Sequence, residues 1–155
     1  MLTDRRDLPS YIRKATGEWV VVSEHKRVAT FRRPNSEEVL IIRVDGGLIT
    51  EGERADYIVA HTRTVDVIVE LKGSDTSKAI RQIRATRPVW MRHELAGMRL
   101  GALVVRGHGI HPKTSASIDR WQREFRKTFK MKLVIETRNR NYEFSEFLLP
   151  EAASA

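Results

Sequence analysis

The chain has 155 residues, 41% of them apolar, which suits one folded core and leaves little room for a second domain. It contains no cysteine, which excludes disulfides, thiolate zinc sites and cysteine nucleophiles and agrees with a reducing, cytoplasmic setting. Lysine and arginine outnumber aspartate and glutamate by 28 to 20, a net charge of +8 that favours polyanionic partners. No apolar run approaches the roughly 20 residues that a membrane helix needs.

In chain order, residues up to about Val22 stay open: Leu8 to Lys14 has the makings of a helical turn or two, broken by Pro9 and Gly17. Val28–Arg33 and Val39–Val44 are expected strands, joined through the turn-prone Pro34-Asn35-Ser36. Asp56–Ala60 and Val65–Leu71 are two more, rich in β-branched residues. Gly73-Ser74-Asp75 offers helix caps, and a helix is expected from Ser77 to about Arg87, stopped by Pro88. Leu100–Arg106 is a continuous apolar run, as in a buried strand. Thr114–Lys130 is the clearest helix, with Ile118, Trp121, Phe125 and Phe129 on one stripe and Arg120, Arg123, Lys127 and Lys130 on the opposite one. Lys132–Thr137 is the last expected strand. The order predicts an α/β chain with a mixed α+β sheet: an antiparallel meander followed by helix, strand, helix, strand, in one domain over 1–150 with a frayed tail at 151–155.

The chemistry concentrates in two neighbouring strands. Strand parity puts Asp66, Ile68, Glu70 and Lys72 on one face and Val67, Val69 and Leu71 on the other. A hairpin with Thr62-Arg63-Thr64 as its loop sets His61 opposite Val65 and Asp56 opposite Glu70. Like charges placed opposite each other destabilise a sheet. Two facing carboxylates make sense where a divalent cation bridges them, Mg²⁺ being the ion that suits hard oxygen ligands. A solvated Glu70–Lys72 pair on a half-exposed strand is the alternative.

An Asp followed about fourteen residues later by Glu-x-Lys, at the end of an apolar strand, resembles the PD-(D/E)xK nuclease superfamily. The resemblance implies a restriction endonuclease-like core of helix, three antiparallel strands, helix and strand, to which the order from about Val39 to Val105 is similar. It implies metal-dependent hydrolysis of DNA phosphodiester bonds, with Mg²⁺ as cofactor and Mn²⁺ able to substitute. It makes Asp56 and Glu70 the metal-binding acids, the Leu71 carbonyl a further ligand, Lys72 the catalytic lysine, and Gln82 the glutamine that some branches carry on the next helix. Ala55 stands where many relatives have proline. The acid that relatives place on the first helix stays open among Glu18, Glu24, Glu51 and Glu53.

The cationic helices supply candidate phosphate contacts: Arg81 and Arg84 on the first, and Arg120, Arg123, Lys127 and Lys130 on the second. A non-catalytic nucleic-acid-binding module and a ribonuclease remain alternatives, because nothing here separates ribose from deoxyribose. A homodimer or a partner protein is expected to supply specificity that so short a chain lacks. His108 and His111 read as loop histidines, without further ligands at zinc spacing.

Overall fold

The computed structural model describes residues 7–71, 75–107 and 112–150. In chain order its elements are β1 (Ile12–Lys14), β2 (Trp19–Glu24), β3 (Arg27–Arg32), β4 (Val39–Arg43), β5 (Tyr57–His61), β6 (Val65–Glu70), α1 (Thr76–Met91), β7 (Leu100–Val105), α2 (Pro112–Glu124), β8 (Lys132–Glu136) and β9 (Arg140–Tyr142). A six-stranded mixed sheet runs β1-β4-β5-β6-β7-β8, and a three-stranded sheet runs β2-β3-β9. In the larger sheet β1, β4, β5 and β6 pair antiparallel, whereas β6–β7 and β7–β8 pair parallel. Parallel neighbours need a crossover, and α1 and α2 provide it.

The expected meander, helix, strand, helix, strand order is therefore present from β4 to β8. Ahead of it, the chain differs from the sequence reading. Ile12–Lys14 is not a helical turn but the edge strand beside β4. The strand at Trp19–Glu24 was not foreseen, and β3 does not pair with β4. Instead, the segment after β3 lets the chain change sheets, with Asn35 and Ser36 both at positive φ. The small sheet covers one face of the large one: Val20, Val22, Ala29 and Phe31 pack with Val59, Val67, Val69 and Leu103. Both helices cover the other face, where Ile80, Ile83, Trp90 and Phe125 meet Ile58, Ile68 and Val104. Every residue of β6 is consequently buried, and each large aliphatic side chain so placed contributes about 1.5–3 kcal/mol.

The first helix does not stop at Arg87. It runs through Pro88 to Met91, although an internal proline removes one hydrogen bond and costs roughly 3 kcal/mol. What lies just beyond offsets this. Trp90 is fully buried, and its indole Nε1–H donates to Asp66 Oδ2 at 2.8 Å. The Gly97 N–H donates to the same oxygen at 2.7 Å. The second helix begins at Pro112, and residues 125–129 continue it as a π-helical turn ending at Lys130, whose φ is 56°. The chain closes with a 3₁₀ turn over Phe144–Phe147. That turn lies so close to β7 that a Cβ on Gly101 would stand 2.8 Å from the Phe147 Cβ. Among the described residues no helix is long and apolar enough to cross a membrane.

Asp66 is 2% exposed. Burial raises its pKa, while the Gly97 and Trp90 donors and nearby His61 pull it back. A carboxyl whose folded pKa is raised holds a proton that the unfolded chain would release, so its contribution favours the fold at low pH and is lost as pH rises. The stability of the parent relative to Asp66→Asn should therefore fall as pH climbs from below the ordinary carboxylate range through the raised pKa. It should level off above that point. Urea midpoints measured across this range, with m unchanged, check the sign.

Candidate active site

The β5–β6 ladder pairs His61 with Val65 and Tyr57 with Val69, the register that the hairpin reading requires. The ladder ends there, and the Asp56 N–H turns to Val69 O, so Asp56 sits off the regular pairing, just before its last pair. Ile68 belongs to the helix-side core, and pleat parity assigns Glu70 to that face; Asp56 reaches the same side, lining a cleft with Lys78 and Gln82 of α1. Both are buried, at 5% and 1% exposure. Asp56 stands just before β5 rather than inside it. Its carbonyl accepts from Val44 N at 3.0 Å, and its own N–H donates to Val69 O at 3.1 Å.

Two side-chain hydrogen bonds place this residue. The Leu71 N–H donates to Asp56 Oδ2 at 2.8 Å, tying the carboxylate to the end of β6. The Ala55 N–H donates to Thr86 Oγ1 at 2.8 Å, and that hydroxyl donates in turn to Gln82 O at 2.8 Å. Thr86 is fully buried, so the strand carrying Asp56 is pinned to the middle of α1. Sequence reasoning missed Thr86: a threonine inside a helix carries no mark of a partner thirty-one residues away.

Beside Asp56 opens a cleft of about 420 Å³, lined by Asp45, Gly52, Glu53, Arg54, Asp56, Lys78 and Gln82. Gln82 is thus brought to Asp56. Of the four acids left open in the sequence, Glu53 is the one that lines the cleft, and it arrives on the β4–β5 loop instead of a first helix. Lys72 lies outside the described residues, as do His108 and His111. Ion pairs close the rim: Arg54 Nε lies 2.8 Å from Asp45 Oδ1 and Arg81 Nε 3.1 Å from Glu53 Oε1. On the other side of the Asp56 strand, the Tyr57 hydroxyl donates to Ser23 O at 3.2 Å. Burial, then the charges of Glu24 and Asp56, raise its pKa.

The candidate phosphate contacts divide. Arg81 and Arg84 lie on α1, but each already has an acidic partner, Glu53 and Glu124 respectively. Arg120, Arg123, Lys127 and Lys130 are all exposed, as the stripe suggested. They sit on α2 and the turn that follows it, which pack against β8, two strands from β6. The structure does not bring them to the cleft. Trp90 is unavailable for base stacking because it is buried, while Trp19 is 44% exposed on β2.

The donor set fits Mg²⁺ in part. Asp56 and Glu70 offer hard carboxylate oxygens at neighbouring strand ends, but no group of three or more His, Asp or Glu side chains gathers among the described residues. Such a site suits an ion that keeps much of its water shell. Comparison with known proteins identifies no relative: no family model, no curated protein and no solved structure matches the chain.

Asp56→Ala should destabilise the fold by about 1–3 kcal/mol, because it strands the Leu71 N–H beneath the site. Thr86→Val should cost a similar amount by orphaning the Ala55 N–H, and Thr86→Ser should cost less. Denaturant midpoints of the three variants check both expectations.

Proposed function

We propose that the chain is a metal-dependent nuclease that hydrolyses DNA phosphodiester bonds, in the manner of the PD-(D/E)xK superfamily. The observation that carries this reading is the burial of Asp56 and Glu70 at neighbouring strand ends, with Asp56 opening onto a cleft that Gln82 lines. Asp56, Glu70 and the Leu71 carbonyl would hold Mg²⁺. When bound, the ion supplies positive charge that polarises the phosphodiester and acidifies water.

The chain's own residues do the rest. The Leu71 N–H orients the Asp56 carboxylate, and the Thr86 bridge holds Ala55, the residue before it, against α1. The Gln82 amide, on the cleft wall, can orient a water or a phosphate oxygen. Lys72, two residues after Glu70, supplies an ammonium to steady charge developing on the phosphorus oxygens. The net charge of +8 and the exposed cations of α2 support a polyanionic substrate.

Plasmid, linear and branched DNA, with RNA in parallel, should be incubated with Mg²⁺ or Mn²⁺ and with EDTA. Cleavage is expected with either ion and none with chelator. Lys72→Ala should lower the rate on the order of a hundredfold or more while leaving the melting temperature unchanged, since it removes stabilisation made in the transition state. A Lys72→Ala protein that cuts as fast as the parent would overturn the assignment. Cleavage of RNA alone would replace DNA by RNA as substrate. Arg123→Ala combined with Lys127→Ala should flatten the salt dependence of DNA binding, each lost phosphate contact removing about 0.9 from the slope.

A further inference from the structure

Lys78 and Gln82 stand one turn apart on α1 and line the same cleft as Asp56. The cleft's cations are not equivalent. Arg54 is engaged by Asp45, and Arg81, just outside the lining, by Glu53. Among the described residues, no carboxylate lies within ion-pairing distance of the Lys78 ammonium. The first turn of α1 holds no acid, and a lysine there opposes the helix dipole at some cost to the helix. Lys78 is exposed to solvent and borders the cleft.

Charge balance gives it a task. A divalent cation shared by Asp56 and Glu70 offsets those two carboxylates and no more. Besides the ion and Lys72, the charge that meets an incoming phosphodiester has to come from the cleft's own side chains, and the rim arginines are already committed to acids. We propose that Lys78 is a phosphate-contacting residue of the cleft. Its ammonium takes a non-bridging oxygen of the nucleic-acid strand that lies along the first two turns of α1, opposite Asp56. This inference rests on the nuclease reading and assigns a substrate contact within it.

Two measurements separate its failure from that of the reading itself. The first is binding of a fluorescent duplex oligonucleotide in EDTA, across a salt series, by the parent, Lys78→Ala and Lys78→Arg. The second is cleavage of the same duplex in Mg²⁺. Lys78→Ala should lower the salt slope by about 0.9, the signature of one lost phosphate contact, and Lys78→Arg should restore it. In cleavage, Lys78→Ala should reduce kcat/KM by at least tenfold without moving the Mg²⁺ concentration at half-maximal rate. A parent that cuts, with a Lys78→Ala variant unchanged in slope and rate, overturns the Lys78 assignment alone. A parent that binds but never cuts overturns the nuclease reading, and the slope still decides whether Lys78 touches phosphate. A parent that neither binds nor cuts overturns both.

Discussion

Burying β6 on both faces while it carries two carboxylates is the constraint on which most of the molecule depends. A central strand in a three-layer arrangement meets no bulk water, and a charged oxygen there must find donors or a counter-ion. At the first end of the strand Asp66 finds two N–H donors, the Trp90 indole and Gly97. Those contacts set the length of α1. The helix has to reach one turn's depth past Arg87 to deliver Trp90, and it does so through a proline that would otherwise end it. They also place the start of β7, whose Leu100 pairs with Asp66.

The other end of β6 is organised by α1's opposite terminus. Asp75 caps the helix by accepting from Lys78 N at 3.0 Å, and the Thr86 hydroxyl grips Ala55 two to three turns further on. The loop between β4 and β5 is therefore held from both sides, by Val44 against Asp56 O and by Thr86 against Ala55. Its surface ion pairs, Arg54–Asp45 and Arg81–Glu53, involve half-exposed side chains and contribute little stability each. Their consequence is electrostatic: they neutralise the rim and leave the charge of the cleft to the groups deeper inside and to Lys78.

Runs of β-branched and aliphatic residues bounded by turn-forming ones made β4 to β6 legible in the sequence, and the hairpin register followed from the short polar link at Thr62-Arg63-Thr64. The placing of Asp56 beside the end of β6 was legible for the same reason. The small sheet was not. In β2 only Val20 and Val22 face the core, whereas Trp19 and Val21 stay half-exposed, so the strand reads as an undivided apolar patch without alternation. Nor does local sequence reveal that β3 and β4 belong to different sheets, because a turn after a strand is compatible with either course. Pro88 misled for a related reason: the local cost is real, and only the distant Asp66 outweighs it. The second helix showed its stripes correctly, but α2's cations carry no information about which strand they overlie. That is decided by the crossover from β7 to β8.

The two carboxylates of β6 share one strand, one face and nearly complete burial, yet their surroundings differ in kind. Asp66 is bound by an indole and a backbone amide while burial raises its pKa, an environment that gives it a structural role. Glu70 lies one residue before Leu71, whose amide binds a second acid, Asp56, and Asp56 lines an open cleft. Two buried acids at neighbouring strand ends repel each other unless a cation or a proton lies between them, even though the Asp56 carboxylate also satisfies the Leu71 amide. The same face of the same strand thus separates an acid held by donors of the chain itself from a pair of acids, one of which opens onto a cleft. That contrast is the physical basis for expecting chemistry at the Glu70 end of the sheet and none at the Asp66 end.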